Sequence, residues 1–305
     1  MFLPMSNPWP ALPLAEWQDT RDTLQLWTQI VGKVRLALAP MVNHWWQVPL
    51  YVNARGLTTS AMPYRGGALE LRFDFLSQAL RVETSAGVVR DVFLQPRSVA
   101  AFYHDVMASL RAAGVEVSIW TRPVELPGTP LPFEKDETHG TYDGEAAQRF
   151  WRLLVEADRV LHQFRSRFVG KCSPVHFWWG SFDLACTRFS GRPAPRHPGG
   201  VPNLADWVTR EAYSHECISA GWWPGGGGVD EPAFYAYAYP EPPGCPAAPI
   251  APAAGGYRME LREWVLPYEA VRMADDPDGT LLEFLQSTYG AAAELGGWDR
   301  KALER

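Results

Sequence analysis

Apolar positions in the first forty residues recur at helical spacing: Leu24, Trp27, Val31, Val34 and Leu38 step by three and four. That period places them on one face and predicts an amphipathic helix packed on a core and ended by Pro40. Gly32 within it costs about 1 kcal/mol relative to alanine, which points to a break or a close helix contact. The pattern then changes. Residues 44–60, 68–83 and 88–94 are rich in Val, Leu, Phe and Tyr and are separated by Arg65-Gly66-Gly67 and Ala86-Gly87, as in three or four antiparallel strands. Ser98 is placed to cap a second helix with Val99, Phe102, Tyr103, Val106 and Leu110 on its apolar face, stopping at Gly114. A short strand over 115–120 is expected next.

Residues 122–144 carry Pro123, Pro127, Pro130 and Pro132 and read as a linker or an extended wrap. They separate a first part, 1–121, from a second, 145–305. A third helix follows, striped by Phe150, Leu153, Leu154, Leu161, Phe164 and Phe168 and ended by Gly170. Strands run on to Arg192, residues 191–202 are turn-rich, 206–211 form a short helix and 213–223 are extended. Phe234 to Tyr239 alternates aromatic residues with alanine, the two-residue period of a strand that buries one face. Residues 240–256 form a Pro/Gly/Ala loop, 257–266 a strand, and 280–295 the last helix.

The two parts echo each other. Trp27, Val31-Gly32-Lys33 and His44-Trp45-Trp46 in the first correspond to Trp151, Val169-Gly170-Lys171 and His176-Phe177-Trp178-Trp179 in the second. An internal duplication predicts an α+β protein of two related α-β-β-β-α halves, with antiparallel sheets covered by helices and packed as one unit. A pocket between the halves would be lined by both His-Trp elements. The alternative is chance similarity between two helix-to-strand passages in a Trp-rich chain.

Bulk properties narrow the function classes. The chain has 305 residues, 47% hydrophobic and 20% charged, with a net charge of -6. There is no basic footprint for a nucleic-acid partner. Cys172, Cys186, Cys217 and Cys245 are far apart with no C-x-x-C pair, which suggests neither a zinc knuckle nor a disulfide framework but reduced cytosolic thiols. The N-terminal stretch lacks the Lys or Arg of a signal peptide, and no apolar run approaches membrane-spanning length. A soluble cytoplasmic protein is expected, with a small-molecule ligand or substrate, no nucleic-acid partner and no membrane. No motif assigns a cofactor, and the oligomeric state is open.

Chemistry is densest in 169–192. On a strand His176 and Trp178 share one face, and Phe177 and Trp179 the other. His176, Asp183, His215 and Glu216 are candidate acid/base groups, because imidazole titrates near neutrality and a carboxylate can orient it or act beside it. The competing reading is that each histidine satisfies a buried backbone carbonyl. Of 14 tryptophans, six form the tandem pairs Trp45-Trp46, Trp178-Trp179 and Trp222-Trp223. Trp46, Trp178 and Trp222 with His44 are candidate ligand-binding residues, and Arg188 and Arg192 suit a carboxylate or phosphate. His176, His215 and Glu216 make a minority metal alternative. Adjacent strand residues point to opposite faces, which disfavours it, and no H-E-x-x-H spacing exists. Gly225 to Gly228 lacks the Gly-Lys-Ser/Thr of a P-loop and reads as a loop, at most a lid. Asp275 to Gly279 mimics a calcium loop in the wrong register and reads as the polar start of the last helix.

Residues 169–192, with Arg210 to Glu216 and Trp222-Trp223-Pro224-Gly225, resemble a bacterial family known only as domain of unknown function 5996. Matching stretches at 9–17, 28–36, 43–46 and 298–300 extend the resemblance over essentially the whole chain. It implies no activity, substrate or catalytic residue. The residues themselves point to a hydrolase- or transferase-like enzyme acting on a polar small molecule. The alternatives are a non-catalytic binding protein using the same pocket, or a scaffold presenting its Pro-rich segments.

Overall fold

The computed structural model describes residues 8–226 and 229–305. The first seven residues, part of the proline-rich lead, and Gly227 and Gly228 of the expected loop lie outside the described residues. Helix α1 (Leu14–Leu38) is continuous through Gly32. A Cβ at Gly32 would overlap the Trp179 indole, so the glycine marks a close contact and not a break. A 3-10 turn at Asn43–Trp45 leads to β1 (Tyr51–Asn53), β2 (Gly56–Thr58), β3 (Met62–Tyr64), β4 (Gly67–Asp74), β5 (Ala79–Thr84) and β6 (Val89–Phe93). These pair antiparallel in the order β1-β2-β4-β5-β6, with β3 on β4. The β4–β5 hairpin needs no glycine. Asp74 Oδ1 accepts from the Leu76 and Ser77 amides at 3.1 and 2.9 Å and closes the turn itself.

Helix α2 (Val99–Ala112) is capped by Ser98 Oγ, which accepts from the Ala101 amide. Residues 115–120 form no strand: Val115 is buried, but Trp120 stands 69% exposed and no partner strand lies alongside. The Pro-rich segment packs closely on α1. The Gln29 carboxamide exchanges two hydrogen bonds with the Val124 backbone, at 3.0 and 2.9 Å, and Phe133 is fully buried.

Asp143 caps α3 (Gly144–Ser166). The second sheet contains β7 (His176–Trp178) and β8 (Asp183–Pro193), then β9 (His215–Trp223) after the short α4 (Asp206–Ala212). It continues with β10 (Ala233–Tyr239), β11 (Gly256–Arg258) and β12 (Glu263–Pro267), all antiparallel in the order β11-β12-β10-β9-β8-β7. The single strand expected over 257–266 is thus a hairpin, its turn closed by Arg262 at φ 59. Helices α5 (Tyr268–Arg272), α6 (Pro277–Leu295, capped by Asp276) and α7 (Arg300–Leu303) complete the described chain. None of its helices is long and apolar enough to cross a membrane.

Alternation divides the second sheet into two chemically distinct faces. Leu184, Cys186 and Arg188 lie level with Ile218, Ala220 and Trp222 on the face covered by α3 and α6. Asp183, Thr187 and Phe189 share the other face with Cys217, Ser219, Tyr235 and Tyr237. One hydrophobic core runs through both parts of the chain. The backbones of Leu50 and Phe177 exchange hydrogen bonds of 2.9 and 2.8 Å and join the two sheets. The first part runs helix, six strands, helix, whereas the second places α4 between β8 and β9 and ends on three helices, so the expected three-strand halves are not found. The strand orders of the two parts differ, and His44 sits in a turn where His176 sits in a strand.

Candidate functional site

The polar face of the second sheet is not packed against α3 or α6. It faces a cavity of about 720 Å³, roofed by the end of α1, the Asn43–Trp45 turn, the 122–126 segment and α4. A lobe of about 410 Å³ adjoins it, shares the walls at Glu125, Ser181, Asp183 and Tyr235, and adds Glu263. The site therefore depends on two facts of sequence: strand alternation selects which side chains reach it, and irregular chain provides its other wall.

Asp183 lies at the floor. Its carboxylate accepts hydrogen bonds from Ser181 Oγ and Tyr235 OH; burial still pushes it up to about 6, because these hydroxyls and its own backbone amide only partly offset the lost hydration. Glu125 holds a left-handed backbone conformation at φ 61, fixed by its amide donating to the Pro202 carbonyl at 2.8 Å. Its carboxyl packs on Gly180, where a Cβ would overlap it. Burial, and after it the charge of Asp183, pushes Glu125 up to about 7. Glu263 is raised to about 7 by the same two causes. The Tyr213 and Tyr237 hydroxyls pair at 2.7 Å.

The upper wall is aromatic. Trp45 Nε1 donates to the Val208 carbonyl at 3.0 Å and Trp179 Nε1 to the Val48 carbonyl at 2.8 Å, so backbone contacts fix two indoles in place. Trp46, Trp178 and Phe189 continue the wall. At the mouth Trp120 and Trp207 are 69% and 61% exposed, and Trp207 lies 5.1 Å from Trp45 between ring centroids.

A family model described as "Family of unknown function (DUF5996)" matches residues 9–305. The chain belongs to that family. No curated protein and no solved structure matches it. Every residue lining the cavity of this DUF5996 chain falls inside the matched span.

Of the candidates read from the DUF5996 sequence, Asp183, His44, Trp46 and Trp178 line the cavity. His44 and Trp45 both hold positive φ, 58 and 63. The two nitrogens of the His44 ring are engaged, Nδ1 with the Ala212 carbonyl at 2.9 Å and Nε2 with Lys171 Nζ at 2.6 Å. This network assigns the proton to Nδ1, and burial lowers the pKa of the ring. A ring so occupied orients the turn and has no nitrogen free for substrate.

The other six candidates lie outside the lining. His176 shares the sheet face of Asp183 but is sealed beneath Trp46 and Trp178; burial, then Arg35 and Arg165, push it down to about 3. His215 stands 5.7 Å from His44 between ring centroids. Glu216 accepts from Ser190 and Arg192, and Arg192 also donates to the Gly296 and Gly297 carbonyls, tying β8 to the end of α6. Arg188 and Trp222 lie on the face opposite Asp183 because their positions are out of phase with it. Arg188 is fully buried, 3.5 Å above the Phe164 ring centroid and 4.2 Å from that of Tyr289. Trp222 packs on Phe150. Among the described residues no group of three His, Cys, Asp or Glu could hold a metal ion.

Glu125, Glu263, Tyr235 and Tyr237 did not emerge as site residues from the sequence. The alternation of 234–239 already placed the tyrosines on one face. Glu125 lies in an aperiodic proline-rich stretch and gave no signal.

Proposed function

We propose that this DUF5996 chain is an acid–base enzyme, hydrolase- or transferase-like, acting on a polar small molecule held in the Trp-lined cavity. The observation that carries this reading is the pair Asp183 and Glu125, two carboxyls raised to about 6 and about 7 that open onto one enclosed space. A proton carrier works best with a pKa near the operating pH. Because the Asp183 charge opposes ionisation of Glu125, the pair retains a proton near neutrality. Asp183 is then the base, taking a proton from a substrate hydroxyl or water, and Glu125 the acid, giving one to the departing group. The flat faces of Trp46 and Trp178 orient the substrate above them.

The test is untargeted. Purified protein is incubated with a bacterial small-molecule extract, and mass spectrometry follows consumption and product formation in wild type, Asp183→Asn and Glu125→Gln. Loss of a proton carrier should slow turnover by about a hundredfold or more. A compound that is retained but never converted would establish a binding protein using the same cavity. Equal turnover in all three proteins would remove the acid–base assignment.

A further inference from the structure

Asp183, Glu125 and Glu263 bring three carboxyls to one connected space. Among the described residues, no hydrogen bond or ion pair reaches the carboxyls of Glu125 or Glu263, and Asp183 is met by two hydroxyls and its own backbone amide, with no cation. Lys33 is the one lysine or arginine among the described residues of either lobe, and its ammonium is turned to the Arg122 carbonyl at 2.7 Å. Aromatic side chains line much of the rest, from Tyr235 and Tyr237 at the floor through Trp46 and Trp178 to Trp120 and Trp207 at the mouth. Carboxyls without a cation, under a canopy of π-faces, match one ligand chemistry.

Building on the cavity assignment above, we infer that the substrate is an organic cation, a primary amine with a flat apolar body. Its ammonium seats between the Asp183 and Glu263 carboxyls, and its body lies along the tryptophans towards the mouth. Aromatic faces attract a cation through their quadrupole, more strongly when water is excluded, and the Asp183 and Glu263 carboxylates each accept an ammonium N–H hydrogen bond. An anion meets like charge on this floor. A bare metal ion finds no group of three ligands among the described residues, whereas an ammonium can be held by two carboxylates and the aromatic side chains around them. The exposed indoles of Trp120 and Trp207, which gain nothing from folding in water, would be covered by the apolar part of such a ligand.

Cation entry must also shift protons. The carboxyls sit near neutrality, so an ammonium beside Asp183 and Glu263 favours their ionised forms and expels a proton, while Glu125 keeps the proton it gives as the acid. Lys33, lowered to about 8 by burial, would release in the same direction, and the carboxyl variants separate the two sources. His44 is already neutral near pH 7. Cys217 and the three tyrosines are raised and stay protonated.

The experiment is calorimetric titration of the intact protein near pH 7, in two buffers of different ionisation enthalpy. The probes are phenethylamine, its neutral analogue 2-phenylethanol, and methyl β-glucoside. Phenethylamine should bind about tenfold or more tighter than the alcohol, with proton release. Asp183→Asn and Glu263→Gln should each weaken the amine by about tenfold and leave the alcohol within about twofold, since truncating one partner of a buried charge contact costs at least that much. Equal affinity for amine and alcohol, or no amine binding at millimolar concentration, overturns the inference. A glucoside that binds without proton release and is consumed overturns the cation and leaves the acid–base reading standing. A Trp178→Ala protein with unaltered amine binding overturns the aromatic part of the inference and leaves the acid–base reading standing.

Discussion

Glu125→Gln isolates the most unusual group in the cavity. The carboxyl holds its proton to about pH 7 when folded, against an ordinary 4.5. A raised carboxyl pKa means that the folded chain keeps a proton the unfolded chain has released. Its contribution is therefore fully present below about pH 4.5 and is lost as pH rises towards 7. The gap of about 2.5 pH units, at about 1.36 kcal/mol each, amounts to about 3 kcal/mol of lost stability. About 1 kcal/mol has gone by pH 5 and about 3 kcal/mol by pH 8, so the variant should gain about 2 to 3 kcal/mol on wild type between those values. Glutamine keeps the size of the side chain and its contact with Gly180. Any cost of its own buried amide is independent of pH and cancels in the comparison. Urea denaturation at both pH values measures the difference directly. If the variant gains less than about 0.5 kcal/mol on wild type between those pH values, or loses stability relative to it, Glu125 is not desolvated as described.

Other perturbations test neighbouring parts of the argument. Gly32→Ala places a methyl group in the Trp179 indole and should cost about 1–3 kcal/mol by overpacking, although alanine is the better helix former; an unchanged or raised unfolding midpoint would contradict the contact. Arg188→Ala should cost about 3 kcal/mol or more through the void it leaves on Phe164 and Tyr289 without altering amine affinity, because the side chain lies on the helix-covered face; altered affinity in the folded variant would argue against that placement. His176 should remain neutral down to about pH 4 in a nuclear magnetic resonance titration, since its folded pKa is about 3. A depressed histidine pKa means the unfolded chain takes up a proton that the folded chain refuses, so stability falls as pH drops below 6.5. A resonance that titrates near 6.5 would show the ring open to water.

Periodicity revealed the elements with a strong two-residue or 3.6-residue pattern and missed those closed by side chains. The stripe of α3 and the aromatic alternation of β10 stand where the spacing puts them. The β4–β5 turn carries no glycine, because Asp74 supplies the turn hydrogen bonds that a local sequence scan does not weigh. Residues 115–120 have strand-like composition and no neighbour to pair with, and composition does not report neighbours.

The candidate site was legible to the extent that alternation reaches. Asp183 and Arg188 are five positions apart on one strand, so they had to face opposite ways; the sequence alone did not say which face carried helices and which carried the cavity. That choice is made by distant chain: α3 and α6 cover the Arg188 face, while α4, the Asn43–Trp45 turn and the proline-rich segment arch over the Asp183 face and leave space beneath. The arch has little regular structure, so the carboxyl it delivers, Glu125, had no period to betray it. Histidines drew attention because they titrate near neutrality in water, yet burial lowers a histidine and raises a carboxyl. In this fold the same desolvation that removes His176 from acid–base chemistry brings Asp183, Glu125 and Glu263 into it.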